Sequence, residues 1–352
     1  MTILAPIHAA AVEFAPEVTY LNTSSWGLLP RRTIAAVKAL ADENAAGRRV
    51  GAGSFEAVEA ARGGFARLVG VHPDRVATGS SVTVHVGLIA ASLPPGAEVL
   101  CPDGEFSSVV SPFALRGDLR VRYAPLADLA EAVRPSTALV AFSAVQSADG
   151  RVADLAAVRA AAAAHGARTL LDATQAAGWF PLDAGAYDYT VTGGFKFLLC
   201  PRGTSFLTVT EEAEATLPPL FAGWVSAGAP WASNYGPLER PAPTARGFDE
   251  PPAFLSYHGA EHSLDLLAEV GADALYAHAT GLAARLRAGL AELGHAAVPG
   301  ESAIVAVPGL DGRRPGLVEA GIAVSAPAGN LRISCHLYNT EADVDRVLKF
   351  LA

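Results

Sequence analysis

Lysine is scarce in this chain: its 26 basic residues include three lysines, Lys38, Lys196 and Lys349, and the other 23 are arginines. Lys196 stands between two phenylalanines in the run GGFKFLLC, residues 193–200. A site that needed only positive charge would take arginine, which stays protonated and forks across carboxylates. A primary amine can shed its proton and form a Schiff base with a carbonyl, and a guanidinium practically cannot. The plain alternative is a snorkelling lysine at a strand end. Two further stretches carry polar groups where ligands gather. Gly79, Ser80 and Ser81 separate a short β-like run from an apolar helix beginning near Val82. Unpaired first-turn amides and two hydroxyls there make a phosphate cradle, or else an ordinary serine cap. LLDATQ ends a strand with Asp172 and places Gln175 three residues on. An acid at the carboxyl end of a parallel strand is placed to meet a ligand cation or ring nitrogen, or to cap the next segment of chain.

These residues need a scaffold, and the chain has the material for one. At 352 residues, 51% hydrophobic and 17% charged, it exceeds the size at which a single core stops growing, so two lobes are expected. Net charge is −9 without a lysine or arginine cluster, which argues against nucleic acid and anionic membranes as partners. Cys101, Cys200 and Cys335 are odd in number and lack CxxC spacing, so neither a disulfide framework nor a structural zinc site is expected, and a cytoplasmic location fits them. The start MTILAPIHAAAVEFAPEV has no basic n-region, and no apolar run is long enough to span a bilayer.

From about residue 70 to 210, short β-rich runs alternate with helical segments, the pattern of an α/β domain with a mostly parallel sheet. AEVLCP, LRVRYAP, TALVAFS, ARTLLDAT and GTSFLTV read as strands. Residues 126–133 and 152–165 read as helices, as do 32–46 and 55–69. Residues 217–252, rich in proline, glycine and tryptophan, read as a loop-rich crossing. A helical stretch over 258–293 and a βαβ-like tail ending in EADVDRVLKFLA complete a smaller lobe. The expected division is 17–257 as a large cofactor lobe, with 258–352 and the N-terminal arm 1–16 as the small one.

A phosphate cradle, a strand-end acid and an amine on a later strand are what pyridoxal phosphate requires. The chain resembles the class V aminotransferase family of fold type I pyridoxal phosphate enzymes, the group that includes cysteine desulfurases. The likeness runs nearly end to end, through YLNTSSWGLLP, TGSSVTVH, LLDATQAAGWFPLD, GGFKFLLCPRGTSFL and LRISCHLYNTEADVDRVLKFL. The resemblance implies Lys196 as the Schiff-base lysine, Asp172 opposite the pyridine nitrogen and Gln175 near the ring hydroxyl. It also implies Ser80, Ser81 and Thr192 at the phosphate, Phe106 stacked on the ring, and Arg332 as the substrate-carboxylate clamp, with Asn22 and Trp26 on the substrate side. Trp26, Phe106 and Trp224 would give an aromatic wall suited to an amino acid bulkier than alanine. A homodimer with sites at its interface is implied too.

Departures from the family pattern matter. Gly193 and Phe195 replace the serine and histidine that reach the phosphate in many relatives, and Glu250-Pro251 replaces a Gly-Thr pair lent by a partner subunit. Phe106 takes the place of a ring-stacking histidine, so it can stack but cannot carry a proton. Gln146 and Ser147 fall where relatives often carry an asparagine. GIAVSAPAGNLR lacks the mobile-loop cysteine of the desulfurases, which disfavours persulfide chemistry. The expected reaction is transamination of an amino acid, with carbon–sulfur β-elimination or epimerisation as alternatives. HGAEH at 258–262 matches an inverted zinc-peptidase string, but such a site needs a further carboxylate from a later helix, and no metal is expected. VGAGSFEAVE near Gly51 is a poor dinucleotide fingerprint, following no clear strand and lacking the third glycine.

Overall fold

The computed structural model describes residues 5–48 and 54–352. The glycines of VGAGSFEAVE, Gly51 and Gly53, and the first four residues of the N-terminal arm lie outside them. The strands, in chain order, are β1 (Thr19–Tyr20), β2 (Val76–Gly79), β3 (Glu98–Pro102), β4 (Arg120–Ala124), β5 (Thr137–Ser143), β6 (Arg168–Asp172), β7 (Tyr189–Gly193), β8 (Ser205–Val209), β9 (Ile304–Pro308), β10 (Ile322–Ala323) and β11 (Asn330–Ser334). Seven of them form the central sheet in the order β2-β8-β7-β6-β5-β3-β4, and only β8 runs against the rest. The carboxyl ends of β2, β3, β5, β6 and β7 therefore share one edge, and the start of β8 joins them there.

The pleat sends alternate residues to opposite faces. Val99, Leu139, Ala141 and Val191 pack under the helices Val82–Ser92 and Ser107–Leu115, whereas Leu100, Val140, Phe142 and Leu171 pack toward Leu155–His165 and Trp179. With both faces covered, the strands read as continuous apolar runs rather than alternating ones. Helix Phe254–Val270 packs on Arg31–Ala45 and Phe55–Leu68, beyond β2 and β8. A second core joins Leu282 and Leu286 to β9, β11 and the C-terminal helix Glu341–Leu351.

Several expectations need correction. Residues 126–133 form only a short 3-10 turn, Leu126–Asp128, followed by further turns, and Leu126, Leu129 and Val133 are buried without a continuous helix, so tertiary packing overrides the helical spacing. The helix expected from 152 begins at Leu155, capped by Asp154, whose carboxylate accepts from the Ala157 amide at 2.9 Å. The stretch 258–293 is two helices, Phe254–Val270 and Ala272–Glu292, parted at Gly271, whose φ of 85° a helix cannot continue. The tail is not βαβ: β9 and β11 are antiparallel, and β10 pairs with β1 instead. β7, in DYTVTGG, went unread, and Lys196 follows it in a turn rather than standing on a strand.

Candidate active site

The turn that bears Lys196 is fixed at nearly every backbone group. Gly194 donates to the Thr204 carbonyl, the Cys200 amide returns to the Gly194 carbonyl, and the Gly27 amide reaches the Phe195 carbonyl, all at 2.9 Å. The His336 ring meets the Phe197 carbonyl at 2.9 Å, and the Ser263 hydroxyl donates to that of Leu199 at 2.7 Å. Leu199 takes a φ of 56°, a left-handed conformation that a leucine holds only when its surroundings impose it. Gly27 is needed because a Cβ there would lie 2.0 Å from the Lys196 carbonyl oxygen. With the backbone so occupied, the ammonium is the unpaired group: among the described residues no carboxylate lies within ion-pair distance of Lys196.

Lys196 opens into a cavity of about 370 Å³ at the carboxyl edge of the sheet. Ser80, Ser81, Phe106, Asp172 and Gln175 share its wall. Burial holds the Lys196 amine down to about 8, partly offset by Asp172 and reinforced by Arg332 and Arg202. Burial likewise lifts the Asp172 carboxyl to about 6, although the Thr174 amide donates to its Oδ1 at 2.8 Å. The Phe106 ring, 43% exposed, has its centroid 5.0 Å from the lysine Nζ. Gln175 donates to the Ser24 carbonyl and the Ser147 hydroxyl, both at 3.0 Å, while its Oε1 is buried without a partner.

Five expected residues stand outside the wall. Arg332, on β11, donates to Ser25 Oγ (2.8 Å), Ser147 Oγ (3.1 Å), Ser325 Oγ (3.0 Å) and the Ser147 carbonyl. Ser25 and Ser147 do line the cavity, so the guanidinium sits one side chain behind it. No acid pairs with Arg332 among the described residues, and burial lowers it to about 10. Trp26 packs on Phe195 at 5.6 Å, and Asn22 bridges to Ser334. Thr192 is fully buried on β7 with its hydroxyl unpartnered. Trp224 belongs to a separate aromatic cluster with Phe55 and Trp231.

The cradle also differs in detail. The Ser80 amide and hydroxyl both donate to Glu250 Oε2, at 2.7 and 3.0 Å, while Ser81 makes no side-chain cap and leaves the first-turn amides open. Glu105 is a further polar hub. It accepts from the Phe106 and Ser143 amides, the Ser143 hydroxyl and Gln146 Nε2, and its charge helps raise Asp172. Sequence reasoning passed over Glu105 and Arg202, since neither differs locally from a solvated surface charge. The three cysteines are buried and outside the wall, and burial pushes each thiol up, Cys335 to about 12. His258 lies in the second turn of its helix, edge-on to His262 at 5.8 Å. No group of three or more metal-ligating side chains could hold an ion among the described residues, and no helix there is long and apolar enough to cross a membrane.

An unpaired amine, an undercompensated carboxylate and an orphaned amide oxygen about one cavity fit a planar aldehyde-bearing ring with a basic nitrogen and an anionic arm. Comparison with known proteins agrees. The aminotransferase class-V profile matches residues 19–347. An isopenicillin N epimerase of Streptomyces clavuligerus is 31% identical, with 94% of each chain covered. An uncharacterized aminotransferase of Bacillus subtilis, YcbU, is 27% identical over 85% of this chain and 84% of its own. The cystine C-S lyase C-DES, solved with its product cysteine persulfide, shares the fold with a TM-score of 0.84 at 24% identity, over 95% of this chain and 97% of its own. The protein thus belongs to the class V aminotransferases, fold type I enzymes that work through pyridoxal phosphate.

Proposed function

We propose that the protein is an aminotransferase for an α-amino acid; with Trp26 and Trp224 outside the cavity wall, the expected aromatic selection for a bulky side chain is not retained. The carrying observation is that the cavity wall offers a single amine, Lys196, with the Phe106 ring 5.0 Å from its Nζ at the position where the family resemblance would put a histidine. When bound, pyridoxal phosphate supplies the aldehyde and the electron-withdrawing ring that acidify the substrate's Cα–H bond. Lys196, held near 8, is neutral often enough at mildly alkaline pH to take that proton and to return it. One amine serving one side can take a proton from Cα and return it on that same side, whereas inversion at Cα calls for a donor on the far side. In this reading Asp172 supplies the negative charge that a protonated ring nitrogen needs, and Arg332, hydrogen-bonded to the Ser25 and Ser147 hydroxyls, exchanges them for the substrate carboxylate.

A second reading, epimerisation, is favoured by the 31% identity to the Streptomyces epimerase along nearly the whole of both chains. Product analysis separates the readings. Incubating the holoenzyme with a panel of amino acids and cysteine conjugates should give keto acid and the aminated cofactor. An inverted α-centre alone would establish epimerisation, and pyruvate with ammonia and a released thiol would establish β-elimination; either would overturn the proposal.

A further inference from the structure

β2 and β8 pair antiparallel with Gly79 opposite Ser205. Past that pair, Ser80 and Ser81 leave β2 beside the segment Arg202 to Thr204 that enters β8. Arg202, Thr204, Ser80, Ser81, Val82 and Thr83 accordingly line the same cavity. The Arg202 guanidinium lies over the Phe195 ring at 4.9 Å and over Trp26 at 5.3 Å. Among the described residues it has no carboxylate or hydrogen-bond partner. A cation with its faces on aromatic rings keeps its N–H edge free, which suits a planar fork to a phosphate.

The cradle needs such a charge. Gly193 and Phe195 offer no polar side chain before the lysine, Thr192 does not line the cavity, and the Glu250 carboxylate already accepts from Ser80. A phosphate monoester brought to the first turn of helix Val82–Ser92 meets that carboxylate's negative field, which backbone amides alone offset poorly. We propose that Arg202, stacked on Phe195 and Trp26 beside the Ser80–Ser81 cradle, is the cation that binds the phosphate of pyridoxal phosphate. The proposal rests on the family's cofactor and is independent of whether the reaction is transamination.

The test is cofactor binding by the full chain after removal of its native cofactor. Titrations with pyridoxal phosphate and with pyridoxal, which lacks the phosphate, are followed by absorbance. Arg202→Gln keeps a planar group for the two rings but removes the charge. Its Kd for pyridoxal phosphate should rise roughly tenfold to a hundredfold, as for loss of a charge-assisted hydrogen bond. Its Kd for pyridoxal should stay within about twofold, a control that the site remains folded. Arg202→Lys should fall between, since it restores charge without the fork. Equal weakening of both ligands in both variants would show that Arg202 only braces the rings. Unchanged binding of both, with a raised KM for acidic amino acids, would assign Arg202 to a substrate acid. Either result overturns the proposal.

Discussion

Asp172 and Glu98 are both buried acids in the central sheet, separated by one intervening strand, and their surroundings treat them oppositely. Glu98 opens β3 at the amino edge. It is held by Arg122, Arg134 and the Thr137 hydroxyl, and these contacts, the Arg134 hydrogen bond first among them, pull its carboxyl down to about 2. Asp172 closes β6 at the carboxyl edge. It has Thr174 for company and no arginine within ion-pair distance, and burial drives it up to about 6. One acid is satisfied by its own chain and the other is left in need of a cation. That contrast marks which end of the sheet is built for a ligand.

The comparison can be broken by substitution. The largest effect should come at Lys196, the other uncompensated group at the carboxyl edge. Lys196→Ala should cut turnover by roughly 10³-fold or more and abolish the bound cofactor's native absorbance. Retention of both would move the Schiff base elsewhere. Asp172→Asn should keep cofactor yet slow α-proton removal by roughly a hundredfold, measured by exchange of the α-hydrogen with solvent. Without cofactor the same change should stabilise the chain. Because its folded pKa lies above the ordinary 3.8, Asp172 costs nothing below about pH 4 and costs on the order of 3 kcal/mol once the pH passes 6. Glu98→Gln should do the reverse, leaving turnover per folded molecule unchanged and lowering stability by about 2 kcal/mol at pH 7, discounted for the half-exposed Arg134. That deficit should shrink as pH falls from about 4.5 towards 2, the window in which wild-type Glu98 loses its advantage. If denaturation curves show Glu98→Gln matching wild type at pH 7, the amino-edge acid is not the structural member of the pair.

Much of the carboxyl edge was legible in the sequence because its residues break local expectations. A lysine among phenylalanines and an aspartate ending an apolar run both advertise unmet electrostatic need. What stayed hidden depends on pairing across distance. β7 was missed because TVTGG offers a short run ending in two glycines. Glu105 looked like a surface acid until Ser143 and Gln146 closed on it from β5 and the loop beyond. Arg332 was found on its strand, but its place behind Ser25 and Ser147 comes from the N-terminal segment folding across β11, which no local pattern encodes.

That crossing has a consequence for how the protein is made. Thr19–Tyr20 pairs with Ile322–Ala323, Asn22 bridges to Ser334, and Ser25 meets Arg332, so the beginning of the chain waits for nearly its end. A nascent chain can assemble the seven-stranded sheet once residue 209 has left the ribosome, but Glu250, which holds Ser80, and Ser263 and His336, which brace the Lys196 turn, come later. The segment that carries Ser24 and Ser25 has no strand to join until β10 and β11 emerge, more than a hundred residues later. At typical synthesis rates that is an interval of several seconds or more. The side of the cavity where Arg332 meets Ser25 and Ser147 is therefore the last to be completed.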